Sequence, residues 1–113
     1  MTDMTEFRRA FNAFWKMPFP DRPRGKEFQD WAVLLLILDT HVAGYASRVN
    51  SGDMDPRDVP GVGDLLAELK SLRASLETIR PETERDKELA EEYRSYIASL
   101  EKMLYELWRL SCQ

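Results

Sequence analysis

The only histidine, His41, is the one ordinary general base in this 113-residue chain. Nucleophilic catalysis needs a nucleophile, a base and an orienting group, and the residues around His41 supply no such set. The di-iron pattern Glu-x-x-His does not occur here, because Leu38 lies three residues before His41. The single cysteine, Cys112, predicts an exposed thiol without an internal disulfide. We therefore predict a protein that is not an enzyme and has no metal or cofactor site.

Residues 53–64 form an acidic loop with the length of a calcium-binding EF-hand loop. Asp53 and Asp55 occupy the positions of its first two ligands. The pattern then ends, since Arg57 occupies the fifth position and Asp58 replaces the glycine required at the sixth. These aspartates are predicted to serve as turn and helix-cap residues.

The turn from Pro60 to Gly63 resembles the hairpin of helix-hairpin-helix DNA-binding modules. In that family a Gly-x-Gly turn, here Gly61 to Gly63, offers backbone N–H groups to a phosphate. The resemblance covers about ten residues and departs at Asp64 and Leu65, where the family usually carries proline or a base. It implies one alternative function, that of a nucleic-acid-associated regulator.

The N-terminal segment could serve the same alternative function, because it mixes bases with aromatic residues as some nucleic-acid binders and membrane-surface helices do. These residues are Phe7, Arg8, Arg9, Phe11, Phe14, Trp15, Lys16 and Phe19. The three phenylalanines at positions 7, 11 and 14 recur at helical spacing, which favours packing on a protein core.

The composition is that of a folded single domain, with 43% hydrophobic and 32% charged residues. A net charge of -4 argues against broad capture of nucleic acid. The longest uninterrupted apolar run, Trp31 to Leu38, is shorter than the roughly 18 residues of a membrane span. Together with an acidic start, this predicts no transmembrane segment, no secretory signal and a cytoplasmic location.

We predict an all-α, four-helix bundle-like domain with a short N-terminal helix, a central buried helix and a C-terminal antiparallel helical hairpin. The first helix covers about residues 4–16, where Asp3 and Glu6 resemble a capping box. The second covers about residues 26–49 and is apolar around its whole circumference between Trp31 and Leu38, which predicts a place at the centre. Small residues around Gly44 predict a close helix approach.

The third helix is predicted from Pro60 or Asp64 to Ile79 and the fourth from Glu82 to Ser111. Both carry apolar residues at alternating spacings of three and four, the pattern of helix pairs. The step of ten residues from Ile79 to Leu89 breaks this repeat beside Pro81, which favours an antiparallel hairpin. One continuous kinked helix is the alternative.

The predicted hairpin has arms of unequal length, about 24 Å and about 45 Å at 1.5 Å per residue. The last three turns of the fourth helix would therefore lack the third helix beside them. Their apolar residues predict a homodimer interface consisting of Met103, Leu104, Tyr105, Leu107 and Trp108. The predicted function is accordingly non-enzymatic, acting through protein–protein interaction or self-association.

A further alternative is a small apolar-ligand binder. His41 lies three residues after Leu38 and four before Tyr45, so the three share a helix face. With Trp31, His41 and Tyr45 are predicted to line a ligand pocket inside the bundle.

Overall fold

The computed structural model describes residues 3–113, which form a helical bundle with no strand. Its elements are α1 (Thr5–Trp15), α2 (Lys26–Ser51), a short 3₁₀ helix (Pro56–Asp58), α3 (Val62–Leu76) and α4 (Glu84–Ser111). The predicted all-α, four-helix architecture is confirmed.

α3 and α4 form the predicted antiparallel hairpin, so the alternative of a single kinked helix is wrong. Near the end of α3, Glu77 Oε1 accepts a hydrogen bond from Arg94 Nε at 2.8 Å. One turn earlier, Arg73 Nη1 donates to Glu101 Oε1 at 2.7 Å. The earlier residue of α3 thus pairs with the later residue of α4, as two antiparallel helices require.

The register of this hairpin differs from the one that the helix lengths predicted. A Cβ at Gly63, in the first turn of α3, would lie 3.9 Å from Trp108 Nε1, so α3 begins beside the end of α4. The end of α3 lies beside Arg94. The first turns of α4, and not its last three turns, extend beyond α3, and residues 77–83 connect the end of α3 to the start of α4.

The central helix of the bundle is α4, which contacts α1, α2 and α3, and α1 and α3 most extensively. All seven apolar residues of its predicted seam are buried: Leu89, Tyr93, Tyr96, Leu100, Met103, Leu107 and Leu110. The phenylalanines of α1 are buried too, and the ring of Phe14 lies 5.4 Å from that of Tyr96. The prediction that the first helix packs through its phenylalanines is thereby confirmed.

α2 packs on one side only, so the prediction that it is the central, circumferentially buried helix is wrong. Leu35 and Leu38 are buried as expected. The apolar residues between and before them, at positions 33, 34, 36 and 37, remain exposed. The close approach predicted at Gly44 is also wrong within this chain, because a Cβ there would meet nothing within 4 Å.

α2 ends at Gly52, which adopts the left-handed conformation with φ +87°. The next N–H, that of Asp53, donates to Arg48 O at 2.9 Å and closes the helix end. We expect Gly52→Ala to lower the free energy of unfolding by about 1 kcal/mol, because a Cβ disfavours this conformation. Chemical denaturation of the monomer measures the change.

The matched control is Gly44→Ala in the middle of the same helix, where φ is ordinary and space is open. Alanine there should raise stability by up to about 1 kcal/mol. Equal effects of the two changes would contradict a conformational role for Gly52.

Candidate functional site: the outward face of α2

The most unusual surface of this bundle is the α2 outward face, which we define as Val33, Leu34, Leu36 and Ile37. Each of these side chains keeps between 46% and 56% of its surface exposed. They lie together because α2 buries the opposite ridge, whose residues are Phe28, Trp31, Leu35, Leu38, Val42, Ala46 and Val49. Four half-exposed aliphatic side chains in two turns form a contiguous apolar patch, and such patches often mark an interaction site.

The α2 outward face lies on a long stretch without charge. Between Trp31 and Ser47 the only Asp, Glu, Lys or Arg is Asp39, and its carboxylate accepts a hydrogen bond from the Tyr96 hydroxyl at 2.7 Å. These residues cover about 25 Å of helix. The α2 outward face itself carries no charge, because Asp39 lines a cleft that α2 forms with α1. A second apolar surface can therefore pack on this face without removing a charge from water.

A groove of about 380 Å³ adjoins this face and shares Val33 and Leu36 with it. Its other walls include Phe19 and Pro20 of the segment that connects α1 to α2. This segment is held in place by Tyr93, whose hydroxyl donates to Asp21 O at 3.0 Å. Burial raises the pKa of Tyr93 to about 12, so the hydroxyl stays protonated and able to donate.

The five residues predicted as a homodimer interface on α4 do not form one surface. Met103, Leu104 and Leu107 are fully buried within the chain, so their prediction as an interface is wrong. The physical reason is the hairpin register, which places α3 beside the last turns of α4. Tyr105 and Trp108 remain exposed, with ring centroids 5.9 Å apart.

The residues predicted to line an internal ligand pocket are not brought together either. Trp31 is buried, and its Nε1 donates to Leu72 O at 2.9 Å. Tyr45 is half-buried, whereas His41 is exposed. The prediction that His41 lies inside the bundle is wrong, because the buried ridge of α2 includes its neighbour Val42 instead.

The cleft between α1 and α2, with a volume of about 210 Å³, contains the half-buried carboxylate of Asp39. Its lining consists of Phe14, Trp15, Met17, Asp39, Ala43 and Tyr96. Burial raises the pKa of the Asp39 carboxyl, and the hydrogen bond from Tyr96 opposes this effect. The pKa of Tyr96 is raised strongly, by burial and then by its hydrogen bond to Asp39. No sequence motif indicated this cleft, since its residues come from three helices and the segment after α1.

The turn that resembles a helix-hairpin-helix element is the N-terminus of α3, capped by Gly61 with φ +63°. A short 3₁₀ helix precedes it, and Asp55 caps that element by accepting from the Arg57 backbone N–H at 2.9 Å. This confirms the prediction of a cap residue. Hydrogen bonds from Arg57 lower the pKa of Asp55 to about 2. At the turn itself, a Cβ at Gly61 would lie 3.8 Å from Asp64 Oδ2, so a carboxylate lies close to any phosphate there.

The basic aromatic N-terminal segment contributes most of its rings to the core, where Phe7, Phe11 and Phe14 are buried. Stacking on nucleic-acid bases requires exposed rings. Among the aromatic residues of this segment, Trp15 is exposed and Phe19 is half-buried. In this segment the nucleic-acid alternative therefore keeps Trp15 as its one exposed aromatic ring.

Among residues 3–113, no group of three His, Cys, Asp or Glu side chains is arranged to hold a metal ion. Of the helices described, α2 alone is long and apolar enough to cross a membrane by length and composition. The core helix of a bundle meets the same criterion, and eight residues of α2 are buried here. The absence of a transmembrane segment stays a prediction.

Comparisons with protein-family models, curated proteins and solved structures found no match to this chain.

Proposed function

We propose that this protein acts by protein–protein interaction and not by catalysis, and that its partner is a second copy of the same chain bound through the α2 outward face. The observation that carries this proposal is the exposure of about half of each of Val33, Leu34, Leu36 and Ile37. The interaction surface thus lies on α2 instead of the end of α4. The rest of the fold serves to present this helix.

A second copy fits this face because its four side chains are uncharged, so that the face can complement itself. In a two-fold arrangement one patch serves both protomers, which is the commonest way to cover an apolar surface. Open space at Gly44, on the same side of α2, lets the backbone of a partner helix approach closely. Charged side chains at the ends of the helix, such as Lys26 and Arg48, then lie outside the apolar contact.

The expected strength of this dimer follows from the apolar surface it buries. Covering the exposed half of four aliphatic side chains contributes about 3–6 kcal/mol per protomer, or about 6–12 kcal/mol for the pair. Association itself costs about 4–15 kcal/mol. The groove beside Val33 and Leu36 adds further apolar surface. A weak, reversible dimer with a dissociation constant between about micromolar and about millimolar is the expected result.

We expect Ile37→Glu to abolish the dimer, because the change places a charge at the middle of the apolar patch. Light scattering after size exclusion, performed over micromolar to millimolar concentrations, measures the mass. The matched control is Tyr105→Glu, which adds the same charge at a similarly exposed ring on α4. It should leave the dimer intact.

Two results would overturn the proposal. One is a wild-type mass of a single chain throughout the concentration range, and the other is a dimer that Tyr105→Glu dissociates while Ile37→Glu does not. If the wild-type chain stayed monomeric and floated with phosphatidylcholine vesicles, and Ile37→Glu did not, the face would bind a lipid surface instead of a second copy.

A further inference from the structure

The cleft between α1 and α2 contains an acid without a basic partner. The Tyr96 hydroxyl donates to Asp39 Oδ1 at 2.7 Å. Among residues 3–113, no Lys or Arg nitrogen forms an ion pair with Asp39, although eleven other ion pairs join acids and bases there. A half-buried carboxylate is more stable when a cation lies beside it. A cation bound at Asp39 would therefore be stabilised by its carboxylate.

The walls of the cleft suit an organic cation better than a metal ion. Aromatic side chains of Phe14, Trp15 and Tyr96 line it together with the thioether-bearing side chain of Met17. Aromatic rings attract alkylammonium ions through their quadrupoles and also cover the attached carbon chain. A hard metal ion would require several oxygen ligands, whereas the cleft offers one carboxylate.

Trp15 is the most conspicuous part of this wall, because 59% of its surface is exposed. Its ring stacks on Phe11 with centroids 5.2 Å apart, and Phe11 is buried in the core. The contact holds the indole at the rim of the cleft. A ligand that covers the exposed ring would remove apolar surface from water without requiring Trp15 to leave its neighbour.

We propose that this cleft binds a small primary alkylammonium ion, with the ammonium group at the Asp39 carboxylate and the alkyl chain against the exposed ring of Trp15. Phe14 and Tyr96 line the cleft but each keeps only 4% of its surface exposed. A primary ammonium is favoured because it carries N–H donors for the carboxylate. The volume of about 210 Å³ is below the about 300 Å³ at which sites for drug-sized ligands begin. The ligand is therefore a short chain or the end of a longer one, such as a polyamine or a lysine side chain.

This inference does not depend on the proposed dimer. Asp39 and Ala43 line the cleft with residues of α1, whereas the α2 outward face contains neither of them. A failure of self-association would leave the cleft unchanged, and a failure of ammonium binding would leave the proposed dimer unaffected.

The test uses n-butylammonium chloride as the probe and the nuclear magnetic resonance signal of the Trp15 indole N–H as the readout. At constant ionic strength we expect a saturable shift of this signal. The neutral analogue n-butanol and the anion butyrate should produce at least about tenfold weaker binding, because neither can pair with a carboxylate. Equal binding of n-butanol would show a merely apolar cleft and overturn the proposal, as would the absence of any saturable shift.

Two substitutions separate the charge of Asp39 from its structural role. Asp39→Asn keeps a carbonyl oxygen that can accept from Tyr96 but removes the negative charge, and should weaken n-butylammonium binding by about tenfold or more. The matched control Asp30→Asn, at an exposed acid of the same helix that pairs with Lys26, should leave binding unchanged. Retained binding in Asp39→Asn would refute the assignment of the ammonium group to this carboxylate.

Discussion

Leu38→Ala is expected to lower the free energy of unfolding by about 2–5 kcal/mol. The reason is that Leu38 keeps only 2% of its surface exposed and belongs to the ridge by which α2 packs on the bundle. Removing the three outer carbons of its side chain loses their burial and leaves a cavity that its neighbours fill only in part. A loss of this size is a large share of the stability of a small domain. Urea unfolding followed by tryptophan fluorescence measures it.

Leu36→Ala provides the matched control, because the same substitution two residues earlier falls on the outward face, where 46% of the side chain is exposed. At sub-micromolar concentration, where the chain is expected to be monomeric, this change should cost less than about 1 kcal/mol. Equal losses at Leu36 and Leu38 would mean that α2 is buried on both sides. That result would restore the central position which the sequence predicted for this helix.

The comparison of these two leucines also shows what the sequence could not decide. The apolar periodicity of α4 was sufficient to predict its seam, because polar residues such as Glu91 and Arg94 separate the two faces. In α2 the residues from Trp31 to Leu38 are apolar on every face. A leucine on the surface and a leucine in the core have the same side chain, so the sequence cannot distinguish them. The sequence therefore overestimated the burial of α2.

The interface predicted on α4 failed for a different reason. Helix lengths predicted a hairpin whose longer arm extends beyond the shorter one at its C-terminal end. The offset depends instead on the path of residues 77–83, which connect the end of α3, beside Arg94, to the start of α4 at Glu84. Loop paths of this kind are set by tertiary contacts, and no periodicity in the sequence reports them. Only Tyr105 and Trp108 of the predicted interface consequently remain at the surface.

Two further features could not be predicted from the sequence, for a related reason. They are the cleft at Asp39 and the attachment of the segment before α2 to Asp86. Both depend on pairs of residues that are distant in the chain. Asp39 and Tyr96 are 57 residues apart, and Asp86 lies 61 residues from Gly25. Local rules could place Asp86 at the positive end of a helix, but could not identify the second helix that it also serves.

The second large effect is expected at Asp86, the one charged residue that is fully buried among those described. Its Oδ1 accepts from the Arg24 backbone N–H and its Oδ2 accepts from the Gly25 backbone N–H, each at 2.9 Å. Gly25 is the N-cap of α2, and Asp86 lies in the first turn of α4. One carboxylate thus stabilises the positive ends of two helices. It also ties the segment before α2 to the central helix.

Asp86→Asn should therefore lower the free energy of unfolding by about 2–4 kcal/mol. The amide keeps one acceptor but turns an NH₂ donor toward a backbone N–H, which leaves a buried donor without a partner. The backbone N–H of Asp86 can still donate to Thr83 Oγ1, so the cap of α4 itself survives. We expect the substitution to weaken the contact between α4 and the start of α2. Hydrogen exchange at the Arg24 and Gly25 amides should therefore become faster.

Glu84→Gln is the matched control in the same helical turn, because Glu84 is exposed and pairs with Lys87 at the surface. Its loss should stay below about 0.5 kcal/mol, as is usual for exposed ion pairs. If Asp86→Asn and Glu84→Gln had equally small effects, general attraction of acids to the N-terminus of α4 would account for both. The difference between the two measured losses gives the contribution of the hydrogen bonds from Arg24 and Gly25, because Asp86 accepts them and Glu84 does not.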